Sequence, residues 1–94
     1  MSFAHLAIQI GKLNIIEWFF NNHDLSSVVN LPDDHEKTSL HWIAENGDLE
    51  IIELLSKKYD FSPSFNLKDD EGETPLHLAV LNEKLDMVNY LLKF

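Results

Sequence analysis

Thr74-Pro75-Leu76-His77-Leu78-Ala79 is the stretch of this 94-residue sequence that says most about its fold. A hydroxyl residue followed by proline is typical of a helix start. The hydroxyl can accept a hydrogen bond from a free backbone N–H group, and proline suits the first helical position. The stretch therefore predicts that a short helix begins at Pro75.

The same pattern occurs three times at a fixed period. Leu76–Leu85 repeats Leu40–Leu49 at an offset of 36 residues, and Ala4–Leu13 repeats it once more. The histidines of the three units fall in register, at His5, His41 and His77. Such a period indicates units that stack into a one-dimensional array, each burying its apolar face against its neighbours.

Each unit is predicted to contain two short helices. In the second unit, the first helix begins after Thr38 and ends at Asn46-Gly47, where glycine can adopt the left-handed conformation that closes a helix. Helices this short are unstable alone, so stacking must stabilise them. The other predicted helices are Ser2–Ile10, Leu13–Asn21, Leu49–Leu55 and Leu85–Phe94, the last with Val88, Leu91 and Leu92 inward.

These motifs resemble those of the ankyrin repeat family over essentially the full chain. They are Asp69-x-x-Gly72-x-Thr74-Pro75-Leu76-His77-Leu78-Ala79 in the third unit, and Thr38-x-Leu40-His41 with Ala44-x-x-Gly47-x-Leu49-Glu50-Ile51-Ile52-Glu53-Leu54-Leu55 in the second. The resemblance implies an all-α solenoid of three stacked helix–turn–helix repeats with short β-turn or hairpin tips. It implies a single domain over residues 1–94, with repeats at about 1–30, 31–66 and 67–94.

Several positions depart from the family pattern. Ser39 stands where the family has proline, and Glu36 and Glu83 stand where it has glycines. If Glu83 adopts positive φ, the strain costs roughly 1 kcal/mol relative to glycine. The period of 36 residues also exceeds the family's usual length of about 33. The extra residues fall after the second helices, in His23–Val28 and Tyr59–Ser64.

The charge of the chain limits its partners. Sixteen acidic residues, seven lysines and no arginine give a formal net charge of −9. A protein that binds phosphates needs a cationic stripe, so nucleic acid and anionic membranes are excluded as expected partners. An acidic field would steer a basic protein surface instead, although the acidity can equally serve only solubility. Without cysteines, a signal peptide or an apolar run of about 20 residues, the chain is expected to be intracellular, cytoplasmic or nuclear.

The histidines and paired aspartates predict no catalysis. The resemblance implies that each histidine bonds the neighbouring threonine hydroxyl and adjacent backbone, and residues one repeat apart lie too far apart to share a metal ion. Adjacent acids at a turn tip are more often solvated than catalytic. No nucleophile elbow, phosphate loop or paired-histidine zinc helix is present. We therefore expect no enzyme activity, no cofactor and no metal.

The resemblance places a partner-binding surface on the turn tips and the exposed sides of the first helices. Ile10 and Leu81 stand out there, because an exposed apolar residue suggests a contact anchor. Trp42 is expected in the core, with partial exposure on the concave face as the alternative. The predicted binding residues are Gln9, Ile10, Asp34, His35, Lys37, Trp42, Glu45, Asn46, Asp70, Glu71, Glu73, Leu81 and Asn82.

Both ends of the predicted stack look apolar. Most members of the aromatic set, Phe3, Trp18, Phe19, Phe20, Tyr59, Phe61 and Phe65, are expected in the core. Terminal repeats normally present polar outer faces, and this first unit has little polarity. Three functional interpretations follow: a protein-interaction module with a concave acidic surface, a structural or self-associating segment of a longer repeat protein, or a regulatory domain of an enzyme elsewhere in a parent chain.

Overall fold

The computed structural model of the protein describes residues 3–93, with side chains from residue 5 onward. Within that range the chain forms three helix pairs, which we call the first, second and third units, and no strand. No helix there is long and apolar enough to span a membrane. The units consist of α1 (Phe3–Ile10) and α2 (Leu13–Asn22), α3 (Ser39–Asn46) and α4 (Leu49–Leu55), and α5 (Pro75–Leu81) and α6 (Leu85–Leu92).

The inner helices α3 and α5 begin with the same reciprocal cap. The Thr38 hydroxyl oxygen accepts a hydrogen bond from the His41 backbone N–H, while His41 Nδ1 accepts one from the Thr38 N–H at 3.1 Å. Thr74 and His77 make the same pair of bonds at the start of α5. These caps satisfy backbone donors that would otherwise be free in the first turn. The predicted helix starts at Thr38 and Thr74 are confirmed.

Positive φ angles recur at equivalent places in the units. The turn that joins the paired helices contains Gly11 at φ 74°, Gly47 at φ 71° and Glu83 at φ 56°. Glu83 therefore does adopt a positive φ, which is the condition for backbone strain at this position. Gly47 is also closely approached, because a Cβ atom there would lie 2.6 Å from Lys84 Cδ and the lysine side chain would have to move aside. Glu83 lies at the end of the stack, where its side chain is exposed.

The core runs through the stack along the contacts of α1 with α3 and α3 with α5. The two long loops take part in it, because Tyr59 and Phe61 are buried and the Tyr59 ring meets the Phe20 ring edge-on at 5.7 Å. A short 3-10 helix at Ser62–Ser64 follows, and the Ser64 hydroxyl donates to Asn30 Oδ1. The extra loop residues therefore connect consecutive units.

One sequence prediction about side-chain burial is wrong: Leu92, predicted to face inward, is 65% exposed. In the aromatic set, most of which is expected in the core, Trp18 lies outside it and is 62% exposed. Both residues lie at positions where a neighbouring unit would have to cover them, and no unit of this chain does. Burial of Phe20, Tyr59, Phe61 and Trp42 is confirmed. The predicted helix ends at Ser2 and Phe94, and the side chain of Phe3, lie outside the described residues.

Candidate functional site

Two tight turns, residues 33–37 and 69–73, precede α3 and α5; we call them the tips. Each contains two backbone hydrogen bonds: Asp33 N–H donates to Lys37 O at 2.8 Å and Asp69 N–H to Glu73 O at 2.9 Å, while the Glu36 and Gly72 N–H groups donate back to the carbonyl oxygen of the first residue at 3.0 Å. The carboxylate of the first residue accepts two further N–H bonds within its own tip, at 2.8 to 3.0 Å. Aspartate suits this position because its short side chain reaches the backbone of its own turn. Both tips are therefore held in one shape.

The two tips are also joined to each other. The Asp70 N–H donates to the His35 carbonyl oxygen at 3.0 Å, and His35 Nδ1 lies 3.4 Å from Asp70 Oδ2. Both side chains in the second contact are exposed, so the ion pair adds little stability and weakens in salt. The backbone bond fixes how far apart the two tips lie.

Trp42 on α3 supports the first tip. Its indole N–H donates to Asp33 Oδ2 at 2.8 Å, and Lys37 Nζ lies 4.5 Å from the centre of its ring. Lys37 Nζ also contacts Glu45 Oε1 at 3.1 Å. Burial works against the charged form of Asp33, but the hydrogen bonds from Trp42, Lys37 and His35 outweigh it and lower its pKa. Asp33 therefore stays ionised as part of the scaffold.

The acids on the outside of the two tips form a surface that we call the tip face. Its members are the exposed Asp34, Glu36, Asp70 and Glu71, with the partly buried Glu73 beside them. Lys37, predicted as a binding residue, is neutralised by Glu45, so it does not cancel this charge. Glu36 was missed in the sequence, where it appeared only as a departure from glycine; its φ of 60° now places it at the exposed corner of the first tip.

The other predicted binding residues lie at the C-terminal ends of α1, α3 and α5, away from the tip face in sequence. Ile10 and Leu81 are exposed, as expected of contact anchors. Asn46 also links the first two units, because its amide donates to the Ile8 and Gln9 carbonyl oxygens at 3.3 Å. Gln9 and Asn82 are exposed, and the Asn82 amide bonds the Leu78 carbonyl oxygen of its own helix.

The histidines hold the units together. His41 Nδ1 lies 2.8 Å from the Thr38 hydroxyl, and its Nε2 lies 3.0 Å from the Glu73 carbonyl oxygen of the next unit. His5 Nε2 contacts the Leu31 carbonyl oxygen in the same way. Burial lowers the pKa of His41, although the Glu73 carbonyl and the charge of Asp69 oppose it. Within residues 3–93 no three histidine, aspartate or glutamate side chains cluster as a metal site would require.

Comparisons with known proteins agree with this architecture. The family model for ankyrin repeats in three copies matches residues 4–94. A chain in the solved complex of the predatory endopeptidase Bd0816 from Bdellovibrio bacteriovorus with the immunity protein Bd3460 is 32% identical, with a TM-score of 0.78. The match covers 98% of this chain and 46% of that one, so this chain spans less than half of its length. None of the curated proteins compared with the chain matches it.

Proposed function

The chain belongs to the ankyrin repeat family, and from that premise we propose that it is a non-catalytic protein-binding module. Its tip face recognises a basic surface on an intracellular protein partner. Ankyrin repeats generally act by binding proteins, and the similar chain comes from a complex of two proteins. We infer that the partner's surface is basic because the tip face is acidic.

The observation that carries this proposal is the hydrogen-bonded order of the tips. Every tip carboxylate projects from a backbone held by the Asp33 and Asp69 side chains and by the bond from Asp70 to His35. A surface that is ordered before binding loses little entropy on binding. Acids gathered on one face also raise the association rate with a basic partner, and salt screens that attraction.

A second candidate function is inhibition of an enzyme. The solved complex that contains the similar chain is described as an endopeptidase with an immunity protein. A module of this kind would cover the active site of its partner. Loss of the partner's catalytic activity on binding favours this function; binding that leaves the activity unchanged favours a scaffold.

The test is a pull-down from a lysate of the source organism, followed by titration of the purified retained protein. One variant reverses the tip face by Asp70→Lys, Glu71→Lys and Glu73→Lys. The matched control makes the same charge change at Glu17, Glu50 and Glu53, which line a groove between α2 and α4. Circular dichroism checks that both variants fold.

We expect the control to retain the partner and the tip variant to lose it, with affinity falling at least about tenfold and the wild-type complex dissociating in salt. Equal retention by both variants would overturn the proposal. So would equal loss, because net charge rather than the tip face would then govern binding.

A further inference from the structure

The two ends of the stack expose apolar residues that the interior of the stack buries. At the C-terminal end Val80 is 57% exposed, whereas Ala44, its counterpart one period earlier, is fully buried. At the N-terminal end Ile15 is 53% exposed, whereas its counterpart Ile51 is buried. We define the C-terminal end face as Val80, Leu85, Val88 and Leu92, and the N-terminal end face as Ile10, Ile15 and Trp18.

The internal interfaces show how such faces meet. Between the second and third units, the Tyr90 hydroxyl lies 3.3 Å from the Ser56 hydroxyl. Between the first and second, the Asn46 amide donates to the carbonyl oxygens of Ile8 and Gln9. Both internal interfaces therefore contain a polar contact at the edge of an apolar core.

The ends depart from this pattern together. In the register of 36 residues, Ser56 corresponds to Leu92 on the C-terminal end face, and Tyr90 corresponds to Trp18 on the N-terminal one. Asn46 corresponds likewise to Ile10 on the N-terminal end face. Its partners Ile8 and Gln9 correspond, two periods later, to Val80 and Leu81, so Ile10 would face these two residues. Apolar residues thus occupy both pairs of positions on the end faces, as Phe20 and Leu54 do at the Ser56–Tyr90 position between the first and second units, and they would meet if the stack continued.

The turn that contains Glu83 also differs from its counterpart inside the stack, because it carries a charge. Inside the stack, the Lys84 side chain lies against Gly47 of the preceding unit. In the same register, Lys12 of a second copy would lie against Glu83. A lysine would then face a carboxylate at the position where, inside the stack, Lys84 faces Gly47. The flexible lysine stem can turn aside to leave room for Glu83. Glu83 retains a left-handed conformation that disfavours a side chain, and such strain concentrates at functional positions.

We infer that the C-terminal end face binds the N-terminal end face of a second copy of this chain, in the register of the internal interfaces. A generic additional repeat would offer a polar residue at the Asn46 or Asn82 position, whereas this chain's own first unit offers Ile10. The contact is head-to-tail, so copies add without closing into a ring at two. It uses none of the tip-face acids, and it stands whether or not the tip face binds a basic partner.

The test begins with sedimentation of the wild-type chain between about 10 and about 500 µM. We expect an average mass that rises steadily with concentration. High salt should strengthen the association, because copies with a net charge of −9 repel each other and salt screens that repulsion. A chain that stays monomeric over the whole range overturns the inference.

Two end-face variants then establish the polarity of the contact. Variant C carries Leu85→Glu and Leu92→Glu; variant N carries Ile15→Glu and Trp18→Glu. Each alone should be monomeric, yet an equimolar mixture should form a one-to-one dimer that grows no further, because one intact face of each kind remains. Continued self-association of either variant alone indicates a face-to-face dimer and overturns the head-to-tail contact.

A charge control and a charge reversal complete the design. Asn66→Glu with Asn89→Glu adds the same two negative charges away from the end faces, position 89 being one where the other units have Glu17 and Glu53. This control should associate at nearly the wild-type level. Glu83→Lys should raise the dissociation constant several-fold, and adding Lys12→Glu to the same chain should restore it. Failure of that restoration contradicts the proposed register, since these residues lie in the turns of the first and third units.

Discussion

The second and third units have the same capping motif and different surroundings. His41 is fully buried and bonded to the next unit, whereas 59% of the His77 side chain is exposed. Ile52 is fully buried, and its counterpart Val88 is only partly covered. The two units are nearly the same local structure, so the difference comes from having one neighbour or two. Stability in this molecule therefore depends on position in the stack.

The largest predicted difference concerns packing. Ile52→Ala removes a fully buried side chain between two units and should lower the free energy of unfolding by about 3 to 4 kcal/mol. Val88→Ala should lower it by about 1 kcal/mol, because the side chain is only partly buried. Urea denaturation followed by fluorescence and by circular dichroism measures both. Equal losses of unfolding free energy in the two variants would show that the number of neighbouring units does not determine how much each unit contributes to stability.

The histidine pair should differ in the same direction. His41→Ala removes the side-chain half of the reciprocal cap at Thr38 and leaves the Glu73 carbonyl oxygen without its partner, so the free energy of unfolding should fall by about 2 to 3 kcal/mol. His77→Ala removes only the side-chain half of the cap at Thr74 and should cost less than about 1 kcal/mol. Thermal melts at low protein concentration provide the measurement. A loss at His77 as large as that at His41 contradicts the inter-unit role.

Lowering the pH should destabilise the protein through His41. Burial holds its pKa below the ordinary value of 6.5, so between that value and the folded pKa the unfolded chain binds a proton that the native chain does not. The contribution of His41 to the free energy of unfolding is fully present above pH 6.5. It decreases as the pH falls, by at most about 1.4 kcal/mol per pH unit for one proton. The lowered pKa of Asp33 acts only below its ordinary value of 3.8.

The variant His41→Gln isolates this effect, since glutamine can form the same capping box without titrating. We expect the slope of unfolding free energy between pH 6.5 and pH 5 to decrease in the variant. An unchanged slope assigns the acid sensitivity to other groups.

Ser39→Pro should make the second unit more like the third. Ser39 is buried, and its hydroxyl has no hydrogen-bond partner among the described residues. Thr38 already has φ −87° and ψ 173°, close to the −86° and 167° of Thr74 before Pro75, so proline fits without strain. The free energy of unfolding should rise by about 1 kcal/mol. The reciprocal change, Pro75→Ser, should lower it by a similar amount; a rise in both variants contradicts this account.

Glu83→Gly should have the smallest effect, a gain of about 0.5 to 1 kcal/mol. Glycine removes the strain of φ 56° but increases the freedom of the unfolded chain, and the second effect partly cancels the first. The control Glu71→Gly makes the same change at a residue without positive φ and should not stabilise the protein. Differential scanning calorimetry compares the two variants. An unchanged or lower melting temperature of Glu83→Gly would show that the positive φ of Glu83 does not destabilise the protein.

Local motifs made the fold predictable, and contacts between units made the site harder to predict. The caps at Thr38 and Thr74 and the turn at Gly47 depend on residues within one turn of a helix, so the sequence indicates them directly. The exposure of Trp18 and Leu92 depends on whether another unit covers them, which no local pattern records. The bonds of Asn46 to α1 and of Lys37 to Glu45 likewise appear only when the chain is folded, and they give predicted binding residues a structural contact that no local pattern indicates.

Recognition through the tip face can be measured by hydrogen–deuterium exchange of the complex with the retained partner. Binding should slow exchange of the backbone amides in residues 33–37 and 69–73, while α2 and α4 exchange as in the free protein. Protection confined to α2, α4 and α6, with the tips unchanged, would contradict recognition through the tip face.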